Sequence, residues 1–91
     1  MMMNFGQAIE LAKQGKKVQR KGWNGKGMYV FMVHGELLKS VLDDNYNHIL
    51  ADNVTDTLQV ANTLTLKSTT SIQVGWLASQ TDMLGEDWVE V

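Results

Sequence analysis

The sequence predicts an α+β fold: a small antiparallel sheet with one main N-terminal helix packed on it and a short C-terminal helix, formed by residues 1–91 as a single domain. Three observations carry this expectation. An amphipathic run with a capping signal opens the chain, a β-rich run at Met28–Val33 follows a glycine-punctuated turn, and two alternating runs flank Ser68–Ser71. No proline, repeat or low-complexity linker interrupts them. At 91 residues the buried fraction of such a chain is modest, so a core shared between subunits is a common remedy.

Asn4 is placed to cap the first helix, with Gln7 three residues on as in a capping box. Phe5, Ala8, Ile9 and Ala12 recur at helical spacing, Leu11 broadens the apolar stripe, and Gly15 ends it. Lys13, Lys16 and Lys17 supply positive charge where the helix C-terminus favours it, which accounts for them without a ligand. Lys17–Lys21 then reads as a short strand and Met28-Tyr29-Val30-Phe31-Met32-Val33 as its hairpin partner. Because that second strand is apolar on both faces, it is expected near the centre of the sheet. Flanking glycines and its β-branched and aromatic residues favour a strand over a buried helix.

Glu36–Leu42 has the pattern of two helical turns, and Asp43-Asp44-Asn45-Tyr46-Asn47 has turn chemistry. The latter resembles the start of a calcium loop, but His48 stands where such a loop needs glycine and Val54 where it needs a bidentate glutamate. His34 and His48 have no third ligand at a familiar metal spacing. No metal or cofactor is expected. Asn62–Lys67 and Ile72–Trp76 alternate as a second hairpin, Ser79-Gln80-Thr81-Asp82 can cap a short helix around Met83 and Leu84, and Glu86–Val91 reads as a terminal strand.

Composition narrows the function. The chain has no cysteine, which removes disulfides, thiolate metal sites and a thiol nucleophile together. Its apolar runs fall short of the ~20 residues of a membrane span, and Met1-Met2-Met3-Asn4 lacks the regions of a signal peptide. An intracellular protein without membrane attachment is expected. A net charge of −2 argues against general DNA binding, yet the charge is unevenly distributed. Lys13, Lys16, Lys17, Arg20, Lys21 and Lys26 lie in one segment, whereas Asp82, Glu86, Asp87 and Glu90 crowd the C-terminus. The two ends can pair within the fold or across a subunit contact, or the basic end can form a small anion site.

The stretch with most chemistry is Arg20-Lys21-Gly22-Trp23-Asn24-Gly25-Lys26-Gly27-Met28. Its glycines permit positive φ and close approach, its cations suit phosphate, and Trp23 offers a flat face for a base or sugar. The same residues also serve a plain hairpin turn with a half-buried tryptophan, since Asn-Gly is a strong turn signal. The loop is too short for a phosphate-binding P-loop, and its glycine order differs from a dinucleotide fingerprint. Trp88 is expected in the core, while Trp76 ends a strand where the chain enters a polar capping segment, a frequent position for a ligand wall. Asp82 is expected as a fixed acceptor or cap. Neither an activated nucleophile nor an organised acid–base pair is recognisable, so no catalysis is expected. Candidate ligand-binding residues are Arg20, Trp23, Asn24, Gly25, Trp76 and Asp82.

Asn4-Phe5-Gly6 through Lys17, the Arg20–Met28 stretch and Trp76-Leu77-Ala78-Ser79-Gln80-Thr81-Asp82-Met83-Leu84-Gly85-Glu86-Asp87-Trp88 together resemble the second Thoeris anti-defence family of phage and prophage proteins. Those motifs cover a little over half of the chain; Gly35–Val60 departs from the commoner, proline-containing pattern. The resemblance implies a ligand-sequestering domain that acts as a sponge in the cytoplasm of an infected bacterium. It would bind the glycocyclic ADP-ribose signal of a TIR-domain enzyme without degrading it, and some members hold cyclic di- or trinucleotides of CBASS immunity. It also implies a homotetramer with pockets between protomers. The competing expectations are an interaction module that blocks a host protein through its aromatic basic loop, and an enzyme that hydrolyses the signal.

Overall fold

Helix α1, Phe5–Lys13, starts as its sequence requires: the Asn4 side chain accepts the Gln7 N–H at 2.8 Å and the Gln7 side chain accepts the Asn4 N–H at 3.0 Å. Ala8 and Ala12 face inward with exposures of 0% and 1%, and Gly15, at φ 88°, turns the chain out of the helix. The computed structural model describes residues 1–23, 27–50 and 58–91. The remaining elements are β1 Val18–Arg20, β2 Tyr29–Val33, α2 Gly35–Asn45, β3 Thr63–Lys67, β4 Ile72–Val74, α3 Gln80–Leu84 and β5 Trp88–Glu90.

The strands form a five-stranded antiparallel sheet in the order β4-β3-β2-β1-β5, giving the α+β class with β2 at the centre. Val18 of β1 lies opposite Val30 of β2, and Val18, Gln19 and Arg20 lie opposite Glu90, Val89 and Trp88 of β5. Met3 bridges to Trp88 through N–H···O bonds of 2.7 and 3.1 Å in the two directions, so the N-terminus joins the exposed side of β5. The β3–β4 turn is built by Ser68, whose N–H donates to the Ser71 carbonyl at 2.8 Å and whose Oγ accepts from the N–H groups of Thr70 and Ser71. At the other end of β4, Gly75 has φ 84°, and both Gly75 and Trp76 donate their N–H to the Leu64 carbonyl. That turn sets the Trp76 side chain beside the core.

Met3, Ala8, Val18, Val30 and Trp88 form the buried core, with Phe5, Leu11, Leu64, Leu66, Trp23 and Trp76 packed around it. Contacts divide the chain into two units, residues 1–32 with 64–91 and residues 33–63. The first contains this core.

In the second unit, α2 runs through Asp43-Asp44-Asn45, which the sequence reads as a turn, and the turn chemistry falls instead at Tyr46–Leu50. Asn45 stays helical by donating its side-chain amide to the Val41 carbonyl at 3.1 Å. His34 provides no side-chain cap; the first N–H of α2, that of Gly35, is accepted by Asn62 Oδ1 at 2.8 Å. A Cβ on Gly35 would overlap the Val60 carbonyl and lie 2.6 Å from its carbon. Gly35→Ala should therefore destabilise this unit by at least the ~1–3 kcal/mol typical of overpacking. Hydrogen exchange is the check: the amides of Leu37 and Leu38 should lose protection while those of β1 and β5 keep it, and unchanged Leu37 and Leu38 protection would refute the steric argument.

Candidate functional site

The basic and acidic ends of the chain meet in the fold. Antiparallel pairing sets Arg20 opposite Trp88, which brings Asp87 alongside the guanidinium. Arg20 Nε donates to Asp87 Oδ1 at 2.8 Å and Nη1 donates to Asp82 Oδ1 at 3.0 Å. Side-chain exposures of 17% for Arg20 and Asp82 and 27% for Asp87 set this network apart from the exposed Lys13–Glu10 pair. Asp87 also accepts the Gly22 N–H on Oδ2 at 3.1 Å and the Lys21 N–H on its main-chain oxygen at 3.0 Å.

Helix α3 places Asp82. Its cap is Ser79, whose Oγ accepts the Asp82 N–H at 3.1 Å, so Asp82 occupies the third helical position and its carboxylate faces Arg20. Asp82 thus stands in the capped first turn of α3 and is a fixed acceptor there. Oδ1 also takes the Trp23 indole N–H at 3.3 Å, and the Asp82 carbonyl takes the Trp88 indole N–H at 2.9 Å.

The tryptophans form one cluster. Trp88 is fully buried, with Phe5 at 5.4 Å between ring centroids and Trp23 at 5.2 Å. Trp23 and Trp76 are half-buried and meet edge-to-face at 6.1 Å and 82°, an arrangement that aromatic quadrupoles favour. Two partly open indoles thus form a right-angled corner, with Asp82 bonded to one of them.

Among the sequence-expected residues, the fold brings Arg20, Trp23, Trp76 and Asp82 into this one constellation, while Asn24 and Gly25 lie outside the described residues. Arg20, one of the loop cations that suit phosphate, has two nitrogens engaged with carboxylates. Asp87 is the member that sequence reasoning left out of the site. Its signal was the charge asymmetry of the two ends, which becomes specific only with the β1–β5 register.

Hydrogen bonds from Arg20 hold the Asp87 carboxyl below its ordinary value against the opposing effect of burial. Burial pushes the Asp82 carboxyl up, but hydrogen bonds from Arg20, Ser79 and Trp23 together outweigh it and leave it lowered as well. The Arg20 guanidinium is raised by its bonds to Asp87 and Asp82 and stays charged throughout. Depressed carboxyl values stabilise the fold fully above the unfolded aspartate value of about 3.9, and that stabilisation is lost as pH falls through the lower folded values. Urea midpoints should therefore drop below about pH 4, with a shallower acid dependence in Asp82→Asn and Asp87→Asn. Equal slopes in parent and variants would contradict the linkage.

No group of histidine, aspartate and glutamate residues able to hold a metal occurs among the described residues, and no helix there is long and apolar enough to cross a membrane. In the other unit, a cavity of about 440 Å³ includes His34, Lys39 and Asn62 in its lining and none of the expected site residues.

The Thoeris anti-defense 2-like domain, as a family model, matches residues 3–91. The chain belongs to the Thoeris anti-defense 2-like family. A relative called Thoeris anti-defense 2, from Bacillus phage SP01, is 36% identical over 86 residues, covering 94% of this chain and 91% of the relative. The match therefore spans both the Arg20–Trp23 segment and the Ser79–Trp88 segment of this Thoeris anti-defense 2-like protein. Membership places it among proteins that counter Thoeris defence.

Proposed function

We propose that this protein is a phage anti-defence sponge, which captures the cyclic ADP-ribose-type signal of Thoeris immunity, glycocyclic ADP-ribose, and holds it intact. The observation that carries the reading is the right-angled corner of Trp23 and Trp76 with the Asp82 carboxylate bonded to its edge. An adenine ring stacks on one indole face, as bases do on aromatic platforms. The Asp82 carboxylate, held by Arg20, Ser79 and the Trp23 indole, sets a fixed acceptor for ribose hydroxyls at the edge of that corner. In this reading Arg20 keeps Asp82 ionised, while Asn24 and the amides near Gly25 meet hydroxyls and pyrophosphate. The reading assigns capture, and not turnover, to these residues.

The protein is proposed to work as a homotetramer in the cytoplasm of the infected bacterium. Exposed apolar residues support association: Ile72 at 64% and Val74 at 55% on the edge strand β4, and Leu77 at 88% and Leu84 at 77% near the site. Light scattering should give an assembly at micromolar concentration; a stable monomer that still holds the signal would refute a pocket shared between protomers.

The functional test incubates the protein with glycocyclic ADP-ribose, measures free signal, then heat-denatures the complex. Depletion followed by return of intact signal is expected. Return of a product would identify an enzyme, and no depletion would favour a module that blocks a host protein. Cyclic di- and trinucleotides, added as competitors, test the proposed capture of CBASS signals.

A further inference from the structure

We propose that Asp87, acting through Arg20, is the positioning residue that orients the Trp23 indole; what the indole then binds rests on the reading above. Asp87 holds the chain at three consecutive points just before Trp23. Its Oδ1 accepts Arg20 Nε at 2.8 Å, its carbonyl accepts the Lys21 N–H at 3.0 Å, and its Oδ2 accepts the Gly22 N–H at 3.1 Å. The Trp23 N–H then closes a turn onto the Arg20 carbonyl at 3.2 Å. The first half of the loop is thereby fastened to the start of β5.

The side chain of Trp23 is reached by a second route from the same residue. Arg20, aligned by Asp87 through Nε, presents Nη1 to Asp82 Oδ1, and this oxygen receives the Trp23 indole N–H. One guanidinium thus connects two carboxylates, and the second of them sets the direction of the ring. A planar donor fork suits this bridge because Nε and Nη1 keep a fixed angle to each other, which a lysine ammonium cannot reproduce.

One face of the guanidinium lies against Gly85. A Cβ on Gly85 would lie 2.9 Å from both Cζ and Nε of Arg20 and 3.0 Å from Nη2. A Cβ on Gly22 would lie 3.2 Å from Asp87 Oδ2. Both glycines therefore stand where the bridge needs close approach. With Nε and Nη1 engaged by carboxylates and one face against Gly85, Arg20 takes part in ligand capture through Asp82 and Trp23.

The experiment uses the full chain as parent, Asp87→Asn and Gly85→Ala, with the indole N–H resonances followed by NMR in the absence of ligand. Trp23→Phe assigns the Trp23 resonance. Both variants should shift the Trp23 indole N–H and speed its exchange with water, while the Trp88 indole N–H, bonded to the Asp82 carbonyl, stays near its parent position. Gly85→Ala removes no charge, so it separates orientation from electrostatics. If Asp87→Asn fails to fold, Gly85→Ala decides alone. An unmoved Trp23 resonance in folded Gly85→Ala overturns the inference.

Titration with glycocyclic ADP-ribose then completes a double-mutant cycle. Asp87→Asn should weaken capture on the order of tenfold, as loss of a supporting partner does at other sites. The same change in a Trp23→Ala background should add less than about twofold, because no ring remains to be positioned. Additive losses would overturn the coupling. A parent that fails to bind this probe would overturn the functional reading and leave the NMR result to decide the positioning role.

Discussion

Trp88→Ala should be the most damaging single truncation in the core, costing about 3–5 kcal/mol by analogy with other buried aromatic deletions. A domain of this length has about 5–14 kcal/mol in total, so the variant is left near the limit of folding. The reasons are local and cumulative. Trp88 has no exposed surface, and its ring is packed by Phe5, Trp23 and Trp76 at centroid distances of 5.4, 5.2 and 6.4 Å. Truncation opens a cavity on all those sides and leaves the Asp82 carbonyl without the indole N–H it accepts at 2.9 Å. The melting temperature should fall by about 12–40 °C, taking about 4–8 °C per kcal/mol for a domain of this size. Trp88→Phe, which refills much of the space, should recover part of the loss. An unchanged melting temperature for Trp88→Ala would show that the core is misassigned.

The second large effect is on capture. Trp23→Ala should weaken binding of glycocyclic ADP-ribose about 5- to 150-fold, corresponding to a stacking contribution of about 1–3 kcal/mol. The fold complicates this variant, because the Trp23 ring also packs edge-on against Trp76 and Trp88. Its stability should fall too, though less than in Trp88→Ala, since Trp23 is only half-buried. Trp23→Phe separates the effects: it keeps an aromatic face and loses the N–H that bonds Asp82. Equilibrium dialysis on folded, assembled protein is the measurement. Undiminished capture by such Trp23→Ala protein would sink the stacking proposal.

These two residues are both tryptophans beside polar neighbours, and the fold gives them different burial. Local patterns identified the capped helix α1, both hairpins, the central run of β2 and the Ser79 cap of α3, because each depends on groups a few residues apart. The extent of α2 was not legible. Its first N–H depends on Asn62 and its start depends on the absence of a Cβ beside Val60, both far along the chain from Gly35. At the other end, Asp43-Asp44-Asn45 continue the helix despite their turn propensity, and the Asn45 side-chain amide bonds the Val41 carbonyl.

Within the site, the sequence by itself determined the ingredients: a tryptophan in a glycine-rich basic loop, a second at a strand end, and a capped acidic segment that follows it. Tertiary structure alone decided their partners. The pairing of β1 with β5 aligned Arg20 with Trp88 across the chain, turned the opposed charges of the two ends into the Arg20–Asp82–Asp87 network, and set the Trp23 indole on Asp82. Side-chain type and short spacing are local properties, whereas register between the first and last strands is fixed only when both have packed on the same core.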